Sequence, residues 1–236
     1  MANINAGFID IADFHAHILP GADHGSYSVS ESLKQLDFAI EHGVRKIVAT
    51  PHFYPTAHTT ESFLERRKIA CEMLFAELAD NSPQIAVGAE VLLCPGIDKM
   101  PDLDKLFICG TNTLLLELPY SGISGDHVNT VARLVRSGVK LVLAHVDRYP
   151  VDAINNMISV GALVQINADS LCSIFKRRRL MNYFKQGAVA AIGSDIHNND
   201  KEAYKCFSKA VSVISEYSSS VKEKTDELLE GAFLKK

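Results

Sequence analysis

No apolar run in this sequence approaches the ~20 residues that a membrane-spanning helix needs, so no membrane span is expected. The five cysteines are odd in number and show no C-x-x-C spacing, which argues against a disulfide framework and favours a reducing compartment. The N-terminus also lacks the charged segment followed by an apolar one that begins a secretory signal. These absences make the cytoplasm the expected location.

An excess of positive charge is missing as well. The formal net charge is −4 at pH 7 and no basic stripe is evident along the 236 residues, so nucleic-acid binding through a charge footprint is not expected. The one dense basic run, Lys176-Arg177-Arg178-Arg179, is typical of a solvated helix start. A surface that faces phosphate is the alternative interpretation of this run.

Short apolar runs are present and alternate with helical patterns. The length and the 47% hydrophobic content suit one domain over residues 1–236. Seven runs are short and mostly continuous in apolar character, as buried parallel strands are. They are Phe8–Phe14, Lys46–Thr50, Ile85–Ala89, Leu114–Leu118, Leu141–Ala144, Leu163–Ile166 and Val189–Gly193.

Helices are predicted between several of these strands. One opens at Ser30 and runs to Gly43, and the tail after Asn198 is also expected to be helical. The others are Thr60–Leu78, Asp126–Ser137, Asp152–Val160 and Arg177–Gln186. Glycine follows directly on the last three of these ranges, and a helix–glycine–strand step is the signature of a βα unit.

Polar residues recur at or just beyond the C-terminal ends of the predicted strands. They are His15, His17, His52, Glu90, Glu117, His145, Asn167, Asp195 and His197. In a (β/α) barrel these strand ends meet around one mouth, whereas in an open doubly wound sheet they spread along an edge. So many convergent positions favour an α/β barrel with its active site at that mouth.

The residue types in this set indicate metal chemistry. His15 and His17 are two apart and would share one face of a strand, and imidazole with carboxylate suits Zn²⁺, Mn²⁺ or Fe. One histidine at a strand end is more often structural, but the recurrence predicts a polynuclear metal site. Two or three ions about 3.5–4 Å apart would clamp a phosphoryl group and generate hydroxide at neutral pH. We interpret His42, His58 and His127, in or beside helices, as surface or helix-end histidines.

Two arginines bear on phosphate binding. Arg148 follows His145 by three residues and could hold phosphate oxygens bidentately; an ion pair with Asp147 or a neighbouring helix is the alternative. Cys172 and Arg178 form the C-x5-R spacing of cysteine-based tyrosine phosphatases. The residues between them include Ile, Phe and Lys rather than the small residues that let backbone N–H groups cradle phosphate, so we interpret this match as chance.

Six ordered segments together resemble the PHP (polymerase and histidinol phosphatase) superfamily. They are Ile9–Gly21, Ala49–His52, Gly88–Val91, Leu115–Pro119, Ala144–Tyr149 and Gly193–Asn198. Within that superfamily the sequence is most similar to the manganese-dependent protein-tyrosine phosphatases of bacterial capsule and exopolysaccharide clusters. The segments run from the N-terminus to about residue 198, which is most of the chain.

The resemblance implies a distorted (β/α)7 barrel with three divalent metal ions, expected to be Mn²⁺, with Fe and Zn as alternatives. It implies one ion on His15, His17, Glu90 and Asp195, a second on Glu90, Glu117 and His145, and a third on His24, His52 and His197. Arg148 would bind phosphate, and Asp195 and His197 are the candidates for a general acid. The implied substrate is phosphotyrosine on the tail of a bacterial tyrosine kinase that regulates polysaccharide export.

The sequence departs from the family pattern at one ligand position. The family usually reads Asp-Asp-Gly after the first motif, where this sequence has Asp23-His24-Gly25. A neutral imidazole there leaves the site one charge more positive, and Asp23 is the alternative ligand. Two other functions stay open: a small-molecule phosphatase of the histidinol-phosphate or nucleotide type, and a non-catalytic metal-binding regulatory module.

Overall fold

Strands and helices alternate along residues 9–233, the part of the chain that the computed structural model describes. The strands are β1 (Asp13–Ala16), β2 (Lys46–Ala49), β3 (His52–Phe53), β4 (Gln84–Val87), β5 (Glu90–Leu92), β6 (Thr113–Glu117), β7 (Lys140–Leu143), β8 (Leu163–Asn167) and β9 (Val189–Gly193). The helices are α1 (Val29–Glu41), α2 (Thr60–Phe75), α3 (Gly125–Arg136), α4 (Val151–Ser159), α5 (Ala168–Cys172), α6 (Ile174–Lys185), α7 (Lys201–Val213) and α8 (Ser218–Leu228). The predicted α/β class is confirmed.

The nine strands form one sheet in the order β3-β5-β6-β7-β8-β9-β1-β2-β4, and every pair is parallel. Thr50 and Pro51 are the only residues between β2 and β3, and Gly88 and Ala89 are the only ones between β4 and β5. β2 and β4 therefore lie at one end of the strand order, and β3 and β5, which follow them directly in the chain, lie at the other. Because the ends are tied by two-residue links, the sheet is curled, and its carboxyl ends face a common region.

The predicted strands agree with the observed ones except at three places. β1 begins at Asp13, later than the predicted Phe8–Phe14, of which Phe8 lies outside the described residues. β3 and β5 were not predicted because runs of two and three residues carry no periodicity. The predicted helices lie within three residues of observed ones, while the five-residue α5 was not predicted.

The C-terminal helix closes part of the core beneath the sheet. Leu228 and Leu229, at the end of α8, are buried in a cluster with Phe14 of β1 and Val142 of β7. The Thr225 hydroxyl donates to the carbonyl of Ala190 at 2.7 Å, which fixes α8 against β9. The predicted helical tail is confirmed. Within residues 9–233, no helix is both long and apolar enough to cross a membrane.

Helix α2 supports the break between β4 and β5. Its Arg67 is 8% exposed and donates to the carbonyl of Gly88 at 2.8 Å and to that of Lys105 at 3.0 Å. The guanidinium also lies 5.5 Å from the centre of the Phe63 ring. The break leads directly into Glu90, so Arg67 helps to determine where the Glu90 side chain enters the site.

We expect Arg67→Met to lower the free energy of unfolding by about 2–3 kcal/mol, since it removes two hydrogen bonds from a buried charged donor to backbone carbonyl groups. Lys68→Met is the matched control because Lys68 is 65% exposed and its one ion pair among residues 9–233 is with Glu72 at 3.9 Å. Its effect should stay below about 0.5 kcal/mol. Urea unfolding followed by circular dichroism measures both variants, and equal stabilities would contradict the role given to Arg67.

Candidate metal centre

Histidines and carboxylates gather at the carboxyl edge of the sheet. The structure brings together all nine residues that the sequence predicts as metal ligands. They are His15 and His17 at β1, His24 in the following loop, His52 at β3, Glu90 at β5, Glu117 at β6, His145 after β7, and Asp195 and His197 after β9. Most of them are buried, and the contacts described next show how they are arranged.

Glu90 is the centre of this cluster and is fully buried. Its Oε2 lies 3.3 Å from Nε2 of His15, 3.4 Å from Nε2 of His17 and 2.8 Å from Nδ1 of His52. Its Oε1 lies 2.7 Å from Nε2 of His145. One carboxylate thus faces four imidazole rings, with different rings at its two oxygens.

Two further carboxylates lie at the sides of this centre. Asp195 is on the side of β1, where its Oδ1 lies 3.4 Å from Nε2 of His17 and 3.7 Å from Nε2 of His15. Glu117 is on the side of His145, where its Oε1 lies 3.7 Å from Nε2 of that ring. Three groups have ligand atoms within 4.8 Å of one another: His15 with His17 and Asp195; His17 with His52 and His197; and His52 with Glu90 and Glu117. The donors therefore lie close enough together for several ions.

His24 and His197 form the outer side of the cluster. The His197 ring stacks on that of His17, with 4.1 Å between centroids. The exposed ring of His24 lies 4.9 Å from that of His52 and 4.8 Å from that of His197. Among residues 9–233, His24 belongs to none of the three compact groups.

The polar atoms of the cluster fit divalent cations. Nε2 of His197 is buried without a hydrogen-bond partner, and Oε2 of Glu90 and Nδ1 of His52, although 2.8 Å apart, do not meet in hydrogen-bond geometry. Nε2 of His15 and of His17 are only 2.9 Å apart, and at most one of them can donate to the other. Buried polar atoms in native proteins are nearly always satisfied, and nitrogen and oxygen lone pairs that converge in this way suit a divalent metal ion.

Backbone strain is found at two of these residues. His145 has a φ of 32° and Asp195 a φ of 51°, in the left-handed region where each non-glycine residue costs about 1–3 kcal/mol. The turns are held in place because the His145 N–H donates to Oε1 of Gln165 at 2.7 Å and the Asp195 N–H donates to the His15 carbonyl at 2.8 Å. The left-handed turns direct His145 towards Glu90 and Asp195 towards His15 and His17.

Two glycines allow the strand histidines to sit close to the neighbouring backbone. A Cβ on Gly25 would lie 2.1 Å from Cβ of His17, and a Cβ on Gly193 would lie 2.7 Å from Cβ of His15. Real Cβ contacts are never that short, so only glycine fits behind each histidine.

Asp23 holds His17 from behind. Its Oδ2 accepts a hydrogen bond from Nδ1 of His17 at 2.7 Å and from the His52 N–H at 2.9 Å, and its Oδ1 accepts from the Gly25 N–H at 2.8 Å. Burial opposes the charge of Asp23, but the His17 charge and these hydrogen bonds outweigh burial and lower the Asp23 pKa. A carboxylate in this position fixes the imidazole so that Nε2 faces the cluster. Asp23 is therefore a partner of His17, on the side away from Glu90.

A network that the sequence did not reveal runs behind the cluster. Oε1 of Gln165 lies 3.3 Å from Nδ1 of His15, and its Nε2 donates to Asn167 Oδ1 at 2.9 Å. Nδ2 of Asn167 donates to Oδ2 of Asp195 at 2.8 Å. The sequence contains one signal of this network, because Gln165 is a polar residue within the apolar run Leu163–Ile166. The structure buries it fully, and a buried amide must have polar partners.

The charges of the cluster depend on one another. Burial opposes ionisation of Glu90, but the His15 charge and the hydrogen bond from His145 hold its pKa well below the ordinary value. Burial and the Glu90 charge raise the pKa of Glu117 to about 7. Burial and the His17 charge lower the pKa of His197 to about 4. His197 is therefore neutral at pH 7, the form in which imidazole binds metals.

Arg148 lies at the open side of the cluster. Its Nη2 donates to Oδ2 of Asp195 at 2.5 Å and its Nη1 to the Tyr120 hydroxyl at 3.2 Å. Asp147, the expected alternative partner, instead accepts from the Ser170 hydroxyl at 2.7 Å and lies 3.6 Å from the Lys176 ammonium. The side chain of Arg148 is 38% exposed, so it presents positive charge to solvent next to the cluster.

The remaining candidates lie apart from the site. Nδ1 of His127 accepts from the Ser124 N–H at 3.0 Å and caps α3, and His42 ends α1. Nδ1 of His58 is 3.4 Å from the N–H of Tyr54. The cysteine of the C-x5-R match lies in α5 and its arginine in α6, and all five cysteines are free. No phosphate-binding loop is formed there in the described chain.

A curled parallel sheet with a buried histidine–carboxylate cluster at its carboxyl edge defines an α/β protein with a candidate polynuclear metal centre. Residues 11–229 match the model of the CpsB/CapC family of capsular polysaccharide synthesis. The chain belongs to this family.

Individual relatives agree with this membership. The chain is 29% identical to the tyrosine-protein phosphatase CpsB of Streptococcus pneumoniae over 212 residues, 80% of this chain and 83% of that protein. It is 27% identical to the tyrosine-protein phosphatase YwqE of Bacillus subtilis strain 168 over 204 residues, 79% and 77% of the two chains.

A solved structure shares the fold. It comes from work on YwqE of Bacillus subtilis and CpsB of Streptococcus pneumoniae, described as unique metal-dependent tyrosine phosphatases. The TM-score is 0.79 at 22% identity, over 95% of this chain and 96% of that chain.

We expect Asp23→Asn to weaken Mn²⁺ affinity by about ten- to a hundredfold, as loss of a carboxylate behind a metal-binding histidine typically does. Asp37→Asn, on the exposed side of α1, is the matched control and should bind Mn²⁺ as the unaltered protein does. Isothermal titration of metal-depleted protein measures both. Equal affinities for the two variants would show that Asp23 does not orient His17 for binding.

Proposed function

We propose that this protein is a metal-dependent protein-tyrosine phosphatase whose single domain, residues 1–236, is built around Glu90. One observation carries the proposal: a buried carboxylate faces four imidazoles, and the Arg148 guanidinium lies beside Asp195 at the open side. Metal ions and an arginine are the groups that stabilise a phosphoryl group in transfer. Family membership and the curated relatives named tyrosine-protein phosphatases support the substrate class.

We further propose three divalent ions, with Mn²⁺ expected and Fe or Zn as alternatives. The proposed ligand sets are His15, His17, Glu90 and Asp195; Glu90, Glu117 and His145; and His24, His52 and His197. The different rings at the two oxygens of Glu90 support a bridging role for it. When bound, the ions would act as Lewis acids and lower the pKa of water to near neutrality.

The proposal includes a distorted (β/α)7 barrel of the PHP superfamily. Counting β2 with β3 as one strand interrupted at Thr50-Pro51, and β4 with β5 as one interrupted at Gly88-Ala89, turns nine strands into seven. In this count the strand order closes on itself, because β2 pairs with β4 while β3 pairs with β5. Closure also explains why ligands from so many strands reach one site.

The roles of the chain's own residues follow from their charge states. Arg148, oriented by Asp195 and Tyr120, binds phosphoryl oxygens through its two terminal nitrogens. Burial opposes the charge of Asp195, but His15 and His17 lower its pKa below the ordinary value, so neither Asp195 nor His197 carries a proton at neutral pH. Of the carboxylates at the site, Glu117 is the one that can hold a proton near neutral pH, since burial and the Glu90 charge raise its pKa to about 7. A phenol of pKa about 10 needs less help from a general acid than an alkyl alcohol does.

A cleft beside Arg148 favours an aromatic leaving group. It has a volume of about 490 Å³ and is lined by Pro119, Tyr120, Ile123, Val128, Tyr149 and Pro150. The Tyr120 ring is 70% exposed and lies 5.8 Å from the ring of Tyr149, which in turn lies 6.1 Å from that of His145. An aryl ring bound here would pack at the distances that aromatic pairs prefer, with its phosphate at Arg148. This supports phosphotyrosine over the small-molecule alternatives.

The proposed partner is a phosphotyrosine protein, the tail of a bacterial tyrosine kinase that regulates polysaccharide export. The capsular polysaccharide family supports this setting. The cytoplasm remains the expected compartment. A non-catalytic metal-binding module, the other alternative, would bind the same ions without turnover.

The reaction itself is tested with 4-nitrophenyl phosphate. Metal-depleted protein should be inactive and regain activity with Mn²⁺, Fe²⁺ or Zn²⁺, and His17→Ala should lose at least about a hundredfold in kcat/KM, as expected when a metal ligand is removed. His42→Ala and Cys172→Ser should stay active. Activity that survives chelation but is lost in Cys172→Ser would show that the cysteine-based mechanism is correct. Metal binding without turnover would instead identify the regulatory module.

The aromatic cleft is tested with Tyr120→Ala. We expect kcat/KM for 4-nitrophenyl phosphate to fall about tenfold relative to that for glycerol 3-phosphate, since an aromatic contact contributes about 0.5–1.5 kcal/mol beyond its buried area. Tyr120→Phe is the matched control, because it keeps the ring and loses only the hydroxyl that accepts from Arg148. If Tyr120→Ala reduces both substrates equally, the cleft does not select aryl phosphates.

A further inference from the structure

An exposed basic and aromatic surface lies at the start of α6 and plays no part in the centre described above. Its residues are Ile174, Phe175, Lys176, Arg178 and Arg179, and we call it the basic–aromatic face. Phe175 is 93% exposed and Ile174 72%, and the three cations are exposed as well. Arg178 has no ion-pair partner within residues 9–233.

The stability of α6 does not explain this composition. Its first turn contains Lys176 and Arg177 and no acidic residue, and the whole stretch from Ser170 to Ser194 lacks Asp and Glu. Cations near a helix N-terminus oppose the helix dipole, and an exposed phenylalanine gains nothing from burial. Lys176 and Arg179 have partners in Asp147, but within residues 9–233 no ion pair compensates Arg178 and no burial compensates Phe175. Residues that go against local preference in this way indicate a role outside the fold.

The face adjoins the loop that carries Arg148. The Lys176 ammonium lies 3.6 Å from Oδ2 of Asp147, and the Arg179 guanidinium donates to the Asp147 carbonyl. Asp147 directly precedes Arg148 in the chain, and α6 follows β8 and α5 on the carboxyl side of the sheet. A polypeptide whose phosphorylated residue reached Arg148 would have this face beside it.

We propose that the basic–aromatic face docks an acidic segment of the substrate polypeptide next to the phosphotyrosine. Arg178 and Arg179 pair with carboxylates or further phosphates of that segment, and Phe175 packs on one of its apolar side chains. The positive charge of this face complements the negative charge of such a segment, in which each phosphate carries about −1.5 to −2 charges at neutral pH. The protein as a whole has a net charge of −4 and would repel the segment. A local positive face is therefore needed to attract such a segment. This inference rests on the proposed phosphatase function.

The experiment compares Arg178→Glu and Phe175→Ala in the full-length protein. Three substrates are used: 4-nitrophenyl phosphate, a phosphotyrosine peptide with glutamates on both sides, and the same peptide with glutamines. For Arg178→Glu we expect KM for the acidic peptide to rise about five- to tenfold, as for loss and reversal of an exposed ionic contact, and the difference to shrink at high salt. For Phe175→Ala we expect a smaller rise with both peptides. Neither variant should alter 4-nitrophenyl phosphate hydrolysis.

Lys185→Glu is the matched control, since it reverses an exposed charge at the opposite end of the same helix. It should hydrolyse the acidic peptide with unaltered KM. If Arg178→Glu and Lys185→Glu have the same KM for the acidic peptide, the docking proposal is wrong. If the unaltered protein hydrolyses none of the three substrates, the proposed phosphatase function is wrong. In that case anisotropy of the fluorescein-labelled acidic peptide still tests docking, and equal affinities for Arg178→Glu and Lys185→Glu contradict it.

A lipid surface could be attracted by the same combination of aromatic and basic side chains. Sedimentation with vesicles of phosphatidylcholine and phosphatidylserine separates the two sources of negative charge. If Arg178→Glu and Phe175→Ala weaken vesicle binding and leave peptide KM unaltered, the face is a membrane surface and the proposal is wrong. Unaltered vesicle binding together with a raised peptide KM supports it.

Discussion

The charge of a fully buried carboxylate, Glu90, is the constraint on which the site depends. Removing one carboxylate from water costs several kcal/mol unless opposite charge and hydrogen bonds compensate for it. Four imidazoles supply that compensation, and they come from strands that are far apart in the chain, with His15 on β1 and His145 after β7. Cations bound among the same atoms would complete it. The curled sheet brings these four rings to Glu90 and so allows it to stay charged.

Several features that are costly elsewhere serve this arrangement. The links before β3 and β5 interrupt the strands so that His52 and Glu90 lie at the carboxyl edge. Left-handed backbone at His145 and Asp195 directs two more side chains inwards. Gly25 and Gly193 are required by the close approach of His17 and His15. A site held this firmly is pre-organised, which is what electrostatic stabilisation of a phosphoryl group requires.

Much of this could be predicted from the sequence, because buried parallel strands and their polar ends have a recognisable pattern. The class of fold and the gathering of the candidate ligands followed from it. Four features did not. Strands as short as β3 have no periodicity. Asp23 and His24 are adjacent in the chain, and only the three-dimensional structure shows that Asp23 hydrogen-bonds to His17. Arg148 pairs with Asp195 rather than with its neighbour Asp147. Gln165 was missed because its partners come from other strands.

The proposed function depends on the ability of Glu90 to bridge metal ions. The most direct measurement is anomalous diffraction near the manganese absorption edge from crystals grown with Mn²⁺. If Glu90 bridges metal ions, we expect separate anomalous peaks within bonding distance of its Oε1 and of its Oε2, with Arg148 on the open side of the ions. A map with no peak at either oxygen, or with one ion bound only by histidines, would contradict it.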